Sequence, residues 1–265
     1  MRRICRLTRR TVPVQMHDRR GSNHEAYLWQ YGKPGGETVF DFCLHRGRES
    51  PKIFLGNWEG ILQTDGYQAY EGVGGPKIVH VGCWAHARRY FVDAVKVNPQ
   101  DGEAVKMVVR MDALFLVDRD ARQKAMSGAE RLAHRRELAQ PWVEEIREAC
   151  LTLSKQALPK SALGKAAAYT LNQWPKLVRC LEYEEVELSN NLAEHSMRPV
   201  AMGRNYVHSR IMCSLDRRSH SIPRIDGPSL PGAQSSAHIS SEFGVHSAAE
   251  RPEIWRSSSR RVPWP

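Results

Sequence analysis

Residues 27–44 read YLWQYGKPGGETVFDFCL. Two runs of aromatic and β-branched residues flank Lys33-Pro34-Gly35-Gly36, which predicts two antiparallel strands joined by a short turn. Further along, residues 60–65, GILQTD, form a short apolar run ending at Asp65-Gly66, as a buried strand does when it meets a turn. GVGGP at 72–76 is another turn, and KIVHVG at 77–82 another strand. Residues 83–97, CWAHARRYFVDAVKV, predict a helix. Ala85, Arg89, Val92 and Lys96 recur at helical spacing, and Asn98-Pro99 stops it.

Residues 101–186 read as almost wholly helical. Apolar residues recur at three and four through 104–117 and 142–153, and Pro141, Pro159 and Pro175 divide the stretch. A last helix is expected from Ser189-Asn190-Asn191 toward Met202. This order predicts an α/β core with a helical insertion, and no internal repeat is present. Composition changes near Ser209. From 209 to 265 the chain is rich in Ser, Arg and Pro and has no Lys. Without period 2 or 3.6, such a stretch buries too little apolar surface to offset its ordering entropy, so disorder is expected. The abrupt onset also suits a change of reading frame in the gene. The expected partition is a basic segment 1–20, a core at 21–100, a helical insertion at 101–186, the final core helix at 187–208 and a tail at 209–265.

The chain has 265 residues, a net charge of +10 and a pI near 9.5. That length suits one large domain or two small ones. No run approaches the ~18 apolar residues of a membrane span. The basic start, MRRICRLTRR, has no apolar segment behind it, so no secretory signal is expected. Six separated cysteines without a Cys-x-x-Cys pair argue against a disulfide scaffold and for a reducing compartment. The charge is unevenly placed. Residues 1–20 hold seven Arg and one Asp, residues 209–265 hold eight Arg and five acids, and the middle is nearly balanced. A basic pI alone is therefore weak support for a DNA-binding core.

Several residues can carry chemistry. Asp65 ends an apolar strand, where a hard carboxylate ligand for Mg²⁺ would sit; the plainer reading is an Asp-Gly turn. Glu194, in SNNLAEHSMRP, either forms a capping box with Asn191 or projects a metal-facing carboxylate, with Arg198 one turn on. Cys83 and His86 make half a zinc site without a second half, so a structural thiol is the simpler reading. Arg88 and Arg89 face either DNA or solvent. Trp29, Trp58, Trp84, Trp142 and Trp174 read as core or interface.

Taken in order, TDGYQAY, CWAHARRYF, LPKSALGKAAAYTLNQWPKL and SNNLAEHSMRPVAMGRN resemble the IS66-family insertion-sequence transposases, and YLWQYGKPGGETVFDF is similar to that family too. The resemblance covers roughly residues 12–208. It implies an RNase H-like α/β fold: a mixed sheet with a large helical insertion and, here, a disordered tail. It implies DDE-type chemistry, in which two Asp and one Glu hold Mg²⁺ or Mn²⁺ for DNA strand cleavage and transfer. Asp65 matches the second acid and Glu194 the third. Sharing a metal would bring their carboxylates to roughly 4–8 Å. Arg88, Arg89, Arg198 and Arg204 are the expected DNA contacts. The implied partners are insertion-sequence ends, target DNA and a second copy or an intact transposase, in the nucleoid of a bacterial cytoplasm, with no membrane.

The chain departs from this pattern at its front. The first Asp belongs on the opening strand just before TVPVQ, yet the chain reads RLTRRTVPVQMH there, with no acid before Asp18. Asp18 lies in an expected loop and Asp41 in another strand, so both are poor substitutes. The resemblance leads us to expect that the family's N-terminal DNA-binding region is lacking too, and GRKN is reduced to GRN. The expectation is a transposase-like chain without strand transfer. A non-catalytic DNA-binding or oligomerising remnant that modulates an intact transposase is the alternative, and a nuclease that recruits Asp18 is a third reading.

Overall fold

The computed structural model describes residues 3–14, 24–34 and 36–197. The expected disorder of 209–265, Asp18, Arg198 and Arg204 lie outside these residues. Five strands form one sheet in the order β3-β2-β1-β4-β5. They are β1 (Ile4–Val14), β2 (His24–Gly32), β3 (Thr38–Cys43), β4 (Ile61–Gln63) and β5 (Val79–Val81). β1 and β2 are antiparallel with Arg9 opposite Trp29, and β2 and β3 are antiparallel with Trp29 opposite Asp41. The hairpin about Lys33–Gly36 is the one the alternation predicts. β4 and β5 run parallel: Val79 N–H donates to Gly60 C=O at 2.8 Å, and Thr64 N–H to Val81 C=O at 3.0 Å, so both strands advance together. A crossover of more than a dozen residues separates them, as parallel pairing requires. The sheet is thus mixed.

The chain divides into two compact units. Of the described residues, one comprises those within Cys5–Leu62 and Tyr67–Val79 together with residues 192–197; the other comprises residues 3–4, Gln63–Gly66 and His80–Asn191. The first unit is built on one face of the hairpin sheet. Strand alternation puts Cys5, Leu7, Trp29, Tyr31 and Val39 on that face, and all are buried. A short helix, α1 (Glu49–Leu55), covers it with Phe54 and Leu55, joined by Trp58, Ala69, Tyr70 and Val73. Tyr31 stacks on Phe54 with centroids 3.7 Å apart, and Trp29 meets Tyr70 edge-on at 5.8 Å. Such aromatic pairs add about 0.5–1.5 kcal/mol each beyond their buried area. The sequence pattern does not announce α1: it is two turns long and carries Pro51 in its first turn, where a missing N–H costs nothing.

The second unit is helical: α2 (Trp84–Val97), α3 (Gly102–Gln123), α4 (Gly128–Leu138), α5 (Gln140–Gln156) and α6 (Ala162–Leu177). Each boundary has a local cause. Asn98-Pro99 ends α2, and Asp101 caps α3 by accepting from the N–H groups of Glu103 and Ala104. Ser127 and Glu130 form a capping box at α4, Pro141 opens α5, and Ser161 caps α6. Pro175 differs from expectation. It lies inside α6, whose last turn passes into a 3-10 turn at Val178–Leu181. Trp142 is 37% exposed, unlike the buried Trp29, Trp58 and Trp84. Among the described residues no helix is long and apolar enough to cross a membrane.

A buried ion pair joins these helices. Arg135 of α4 is fully buried, and its Nε donates to Asp118 Oδ1 of α3 at 2.8 Å; its Nη2 pairs with the same carboxylate. Its Nη1 donates to Val186 C=O at 2.6 Å. Arg122 donates to Asp118 Oδ2 at 2.7 Å and also pairs with Glu187, while Arg131 reaches Glu187 Oε1 at 2.8 Å and Glu184 C=O at 3.0 Å. Burial opposes ionisation of Asp118, but the Arg135 and Arg122 charges outweigh it and hold its carboxyl below the usual aspartate range. Removing one member strands the other charge in the interior. Arg135→Ala should therefore lower unfolding stability by about 3–5 kcal/mol in urea titrations. Because the folded pKa is depressed, the contribution of Asp118 is present above the ordinary aspartate pKa of about 3.9 and is lost as pH falls toward the folded value. The parent chain should lose more stability than Asp118→Asn over that acid window.

Candidate active site and nucleic-acid interface

Asp65 lies two residues past the end of β4 and is half-buried. Three contacts within the helical unit set its backbone. The preceding residue, Thr64, is tied to β5 by its N–H. The Asp65 C=O accepts from Tyr169 Oη of α6 at 2.8 Å. Gly66 turns the chain at φ +85°, and its N–H reaches Thr64 Oγ1 at 3.3 Å. The turn reading of Asp-Gly is thus correct for Gly66, and the same turn presents Asp65 at the strand's C-terminal end. Burial first, then electrostatic repulsion from neighbouring Cys83 and Asp65, pushes the Tyr169 hydroxyl well above the usual tyrosine range. Tyr169 therefore stays a protonated donor to the Asp65 carbonyl. Tyr90 of α2 stacks on Tyr169 at 4.2 Å, which carries α2 to this corner.

Gln63, the last residue of β4, is fully buried, and its Nε2 donates to Glu187 C=O at 2.6 Å. Trp84 N–H donates to Leu188 C=O at 2.9 Å, and Asn190 N–H reaches the Cys83 Sγ at 3.2 Å. Cys83 thus has a structural role as an acceptor. Among the described residues, no group of three or more His, Cys, Asp or Glu side chains is gathered as a metal site.

The arginines of α2 separate. Arg88 forms a bidentate pair with Asp112 of α3, at 2.6 and 3.0 Å. Arg89 is exposed and close enough to Tyr169 for its charge to favour the phenolate. Sequence spacing does not reveal the Arg88–Asp112 pair, because it depends on the packing of α3 against α2.

Glu194 lies on α7 (Asn191–Ser196), and its C=O accepts from Met197 N–H at 3.2 Å. The helix begins at Asn191 itself. Asp65 falls in the helical unit and Glu194 in the sheet unit.

On β1, the positions where the first acid is expected hold buried Thr8, half-buried Arg9 and exposed Arg10. The Arg9 guanidinium lies over three rings of the sheet unit: Tyr67 at 4.1 Å, Tyr27 at 5.0 Å and Trp29 at 5.5 Å. Asp41 is committed elsewhere, accepting from Ser50 Oγ at 2.5 Å where α1 begins. The aromatic setting of Arg9 escapes sequence reading, although strand alternation does put it on the face of Tyr27 and Trp29.

The pattern defining the transposase IS66 family matches residues 10–210. Three relatives come from Sinorhizobium fredii. The uncharacterized protein y4jD is 32% identical over 62% of this chain and 33% of its own length. The uncharacterized protein y4hP is 31% identical over 73% of this chain and 39% of its own. The uncharacterized protein y4qI is 28% identical over 69% and 36%. The chain thus spans between a third and two-fifths of these relatives. No solved structure matches it.

The turn at Gly66 provides a direct test. A Cβ there would lie 2.9 Å from Gln173 Oε1 and 3.0 Å from Tyr169 Oη, on a backbone conformation that disfavours side chains. Gly66→Ala should cost about 1–3 kcal/mol, read as a lowered melting temperature. Adding Gln173→Ala should recover part of the loss, since it relieves one clash but leaves the backbone strain.

Proposed function

The chain belongs to the IS66 transposase family, and we propose that it is a transposase-type protein that binds DNA without transferring strands. An RNase H-like core is part of this reading. Its support is family membership together with a mixed sheet in which β1 lies between β2 and β4, followed by a parallel β5. In such a core Asp65 and Glu194 are the residues that would hold Mg²⁺ or Mn²⁺, since carboxylate oxygens are the hard ligands these ions prefer. When bound, a metal pair supplies an activated nucleophile and stabilises the leaving oxygen.

The donor set does not fit a metal pair. A two-metal site needs a further carboxylate from the opening strand to bridge the ions. Here Thr8, Arg9 and Arg10 stand in that stretch, and a guanidinium adds positive charge where negative charge is required. That substitution on β1 is the observation that carries the reading. The residues left to act are those that bind: Arg89 on α2 presents an exposed cation, whereas Arg88 holds α2 to α3 through Asp112. Arg198 and Arg204 are further phosphate contacts by the family pattern. Insertion-sequence ends, target DNA and a second copy or an intact transposase are the proposed partners, in the bacterial nucleoid.

The test compares nicking of supercoiled plasmid with Mn²⁺ supplied. The chain itself should leave the plasmid intact. Arg9→Asp should raise Mn²⁺ affinity in calorimetry before any nicking appears, and adding Asp65→Ala should remove that gain. Metal-dependent nicking by the unaltered chain, lost in Asp65→Ala, would overturn the proposal.

A further inference from the structure

We infer that Arg9, Tyr67 and Arg46 form a metal-independent binding site for the backbone phosphates of DNA on the sheet unit. This deepens the proposed function and rests on its DNA-binding part. Two guanidinium groups share one ring. The Cζ of Arg9 lies 4.1 Å and that of Arg46 5.1 Å from the Tyr67 centroid. Arg46 Nε also donates to Tyr67 Oη at 2.7 Å, and the Tyr67 hydroxyl returns a longer bond of 3.5 Å to Arg46 C=O. The ladder places Arg9 opposite Trp29, with Tyr27 two residues along on the same face. The hairpin thus supplies two walls of the cradle and Tyr67 the third.

The cradle orients charge without cancelling it. Ring quadrupoles attract a guanidinium but carry no net charge, so the site remains cationic. Neither Arg9 nor Arg46 has a carboxylate ion-pair partner among the described residues, in contrast to Arg88, Arg122, Arg131 and Arg135. Glu25 is an acid on the Arg46 side of the cradle, and Asp41 lies opposite Trp29 on the same sheet face. Glu25 is exposed, and its charge is felt at Arg46 without forming a salt bridge. Arg9 Nη1 is buried with no acceptor among the described residues. Arg9 retains partial exposure and Arg46 is fully exposed. Two like charges held on one ring repel each other until an anion is shared between them.

The chemistry selects phosphate. A planar guanidinium offers paired donors that match phosphate oxygens, and stacking on rings orients the fork before the ligand arrives. Carboxylates on this strand would need a divalent ion to face a phosphodiester. Arg9 faces it directly. Binding through these residues is therefore indifferent to metal and sensitive to salt, because each neutralised phosphate releases a counterion.

The experiment uses the full chain and a fluorescently labelled DNA duplex of mixed sequence, with anisotropy read across salt concentrations, in EDTA and in Mg²⁺. The expected result is equal affinity in both. Arg9→Gln with Arg46→Gln should weaken binding about tenfold or more and lower the slope of log K against log salt by roughly 1–2, near 0.9 for each phosphate no longer neutralised. Arg46→Gln alone alters an exposed side chain and should give part of the loss with an unchanged melting temperature, which keeps the test valid should the double variant fold poorly. Arg9→Lys should preserve the slope and weaken affinity, since it keeps the charge and loses the planar fork. Unchanged affinity and slope in a folded double variant would overturn the site while leaving DNA binding by the chain intact. Dependence on Mg²⁺, or displacement of the duplex by micromolar inorganic phosphate, would overturn it as well. No binding to the duplex at any salt would overturn both the site and the function it rests on.

Discussion

The buried pair of Arg135 and Asp118 is the constraint on which the helical unit depends. Two charges taken out of water gain little net stability over a well-packed apolar pair. Their effect is to permit one arrangement. The carboxylate faces Arg135 and Arg122 together, and Arg135 Nη1 donates to the Val186 and Cys180 carbonyls. Any shift of α4 along α3 would leave a buried charge unmatched. The segment at 184–188 is held in the same grip, with Arg131 on Glu184 and Glu187.

That segment in turn locates the candidate site. It accepts the Gln63 side chain through Glu187 C=O and the Trp84 N–H through Leu188 C=O. The end of β4 and the start of α2 are thereby set by residues more than a hundred positions away. Tyr169 completes the arrangement by bonding the Asp65 carbonyl. The position of this carboxylate is a product of the helical block rather than of its own strand, whose three residues would be marginal alone.

The sheet unit works by a different principle. Its core is an aromatic layer, and the layer continues past the buried Leu7 to the rim, where Arg9 takes the next inward position. A carboxylate there would meet ring faces of the same sign as itself. A guanidinium meets them favourably, and its stem covers apolar surface while the head keeps partial access to water. An arginine at this position is therefore compatible with the packing.

The sequence by itself determined the hairpin about Lys33–Gly36, the strands near 61–63 and 79–81, helix α2 almost to the residue, and the helical character of 101–186. These follow from period, turn chemistry and stop signals, which act within a few residues. The family was equally legible, because it is a statement about residue identity. Only the tertiary structure decided that Pro51 opens a helix, that Pro175 lies inside one, that Arg88 pairs with Asp112, and that Arg9 stacks on Tyr67. Each depends on which distant surface arrives at that residue. Local pattern places a side chain on a face, but the partner on the other side is chosen by packing, through contacts between residues far apart in the chain.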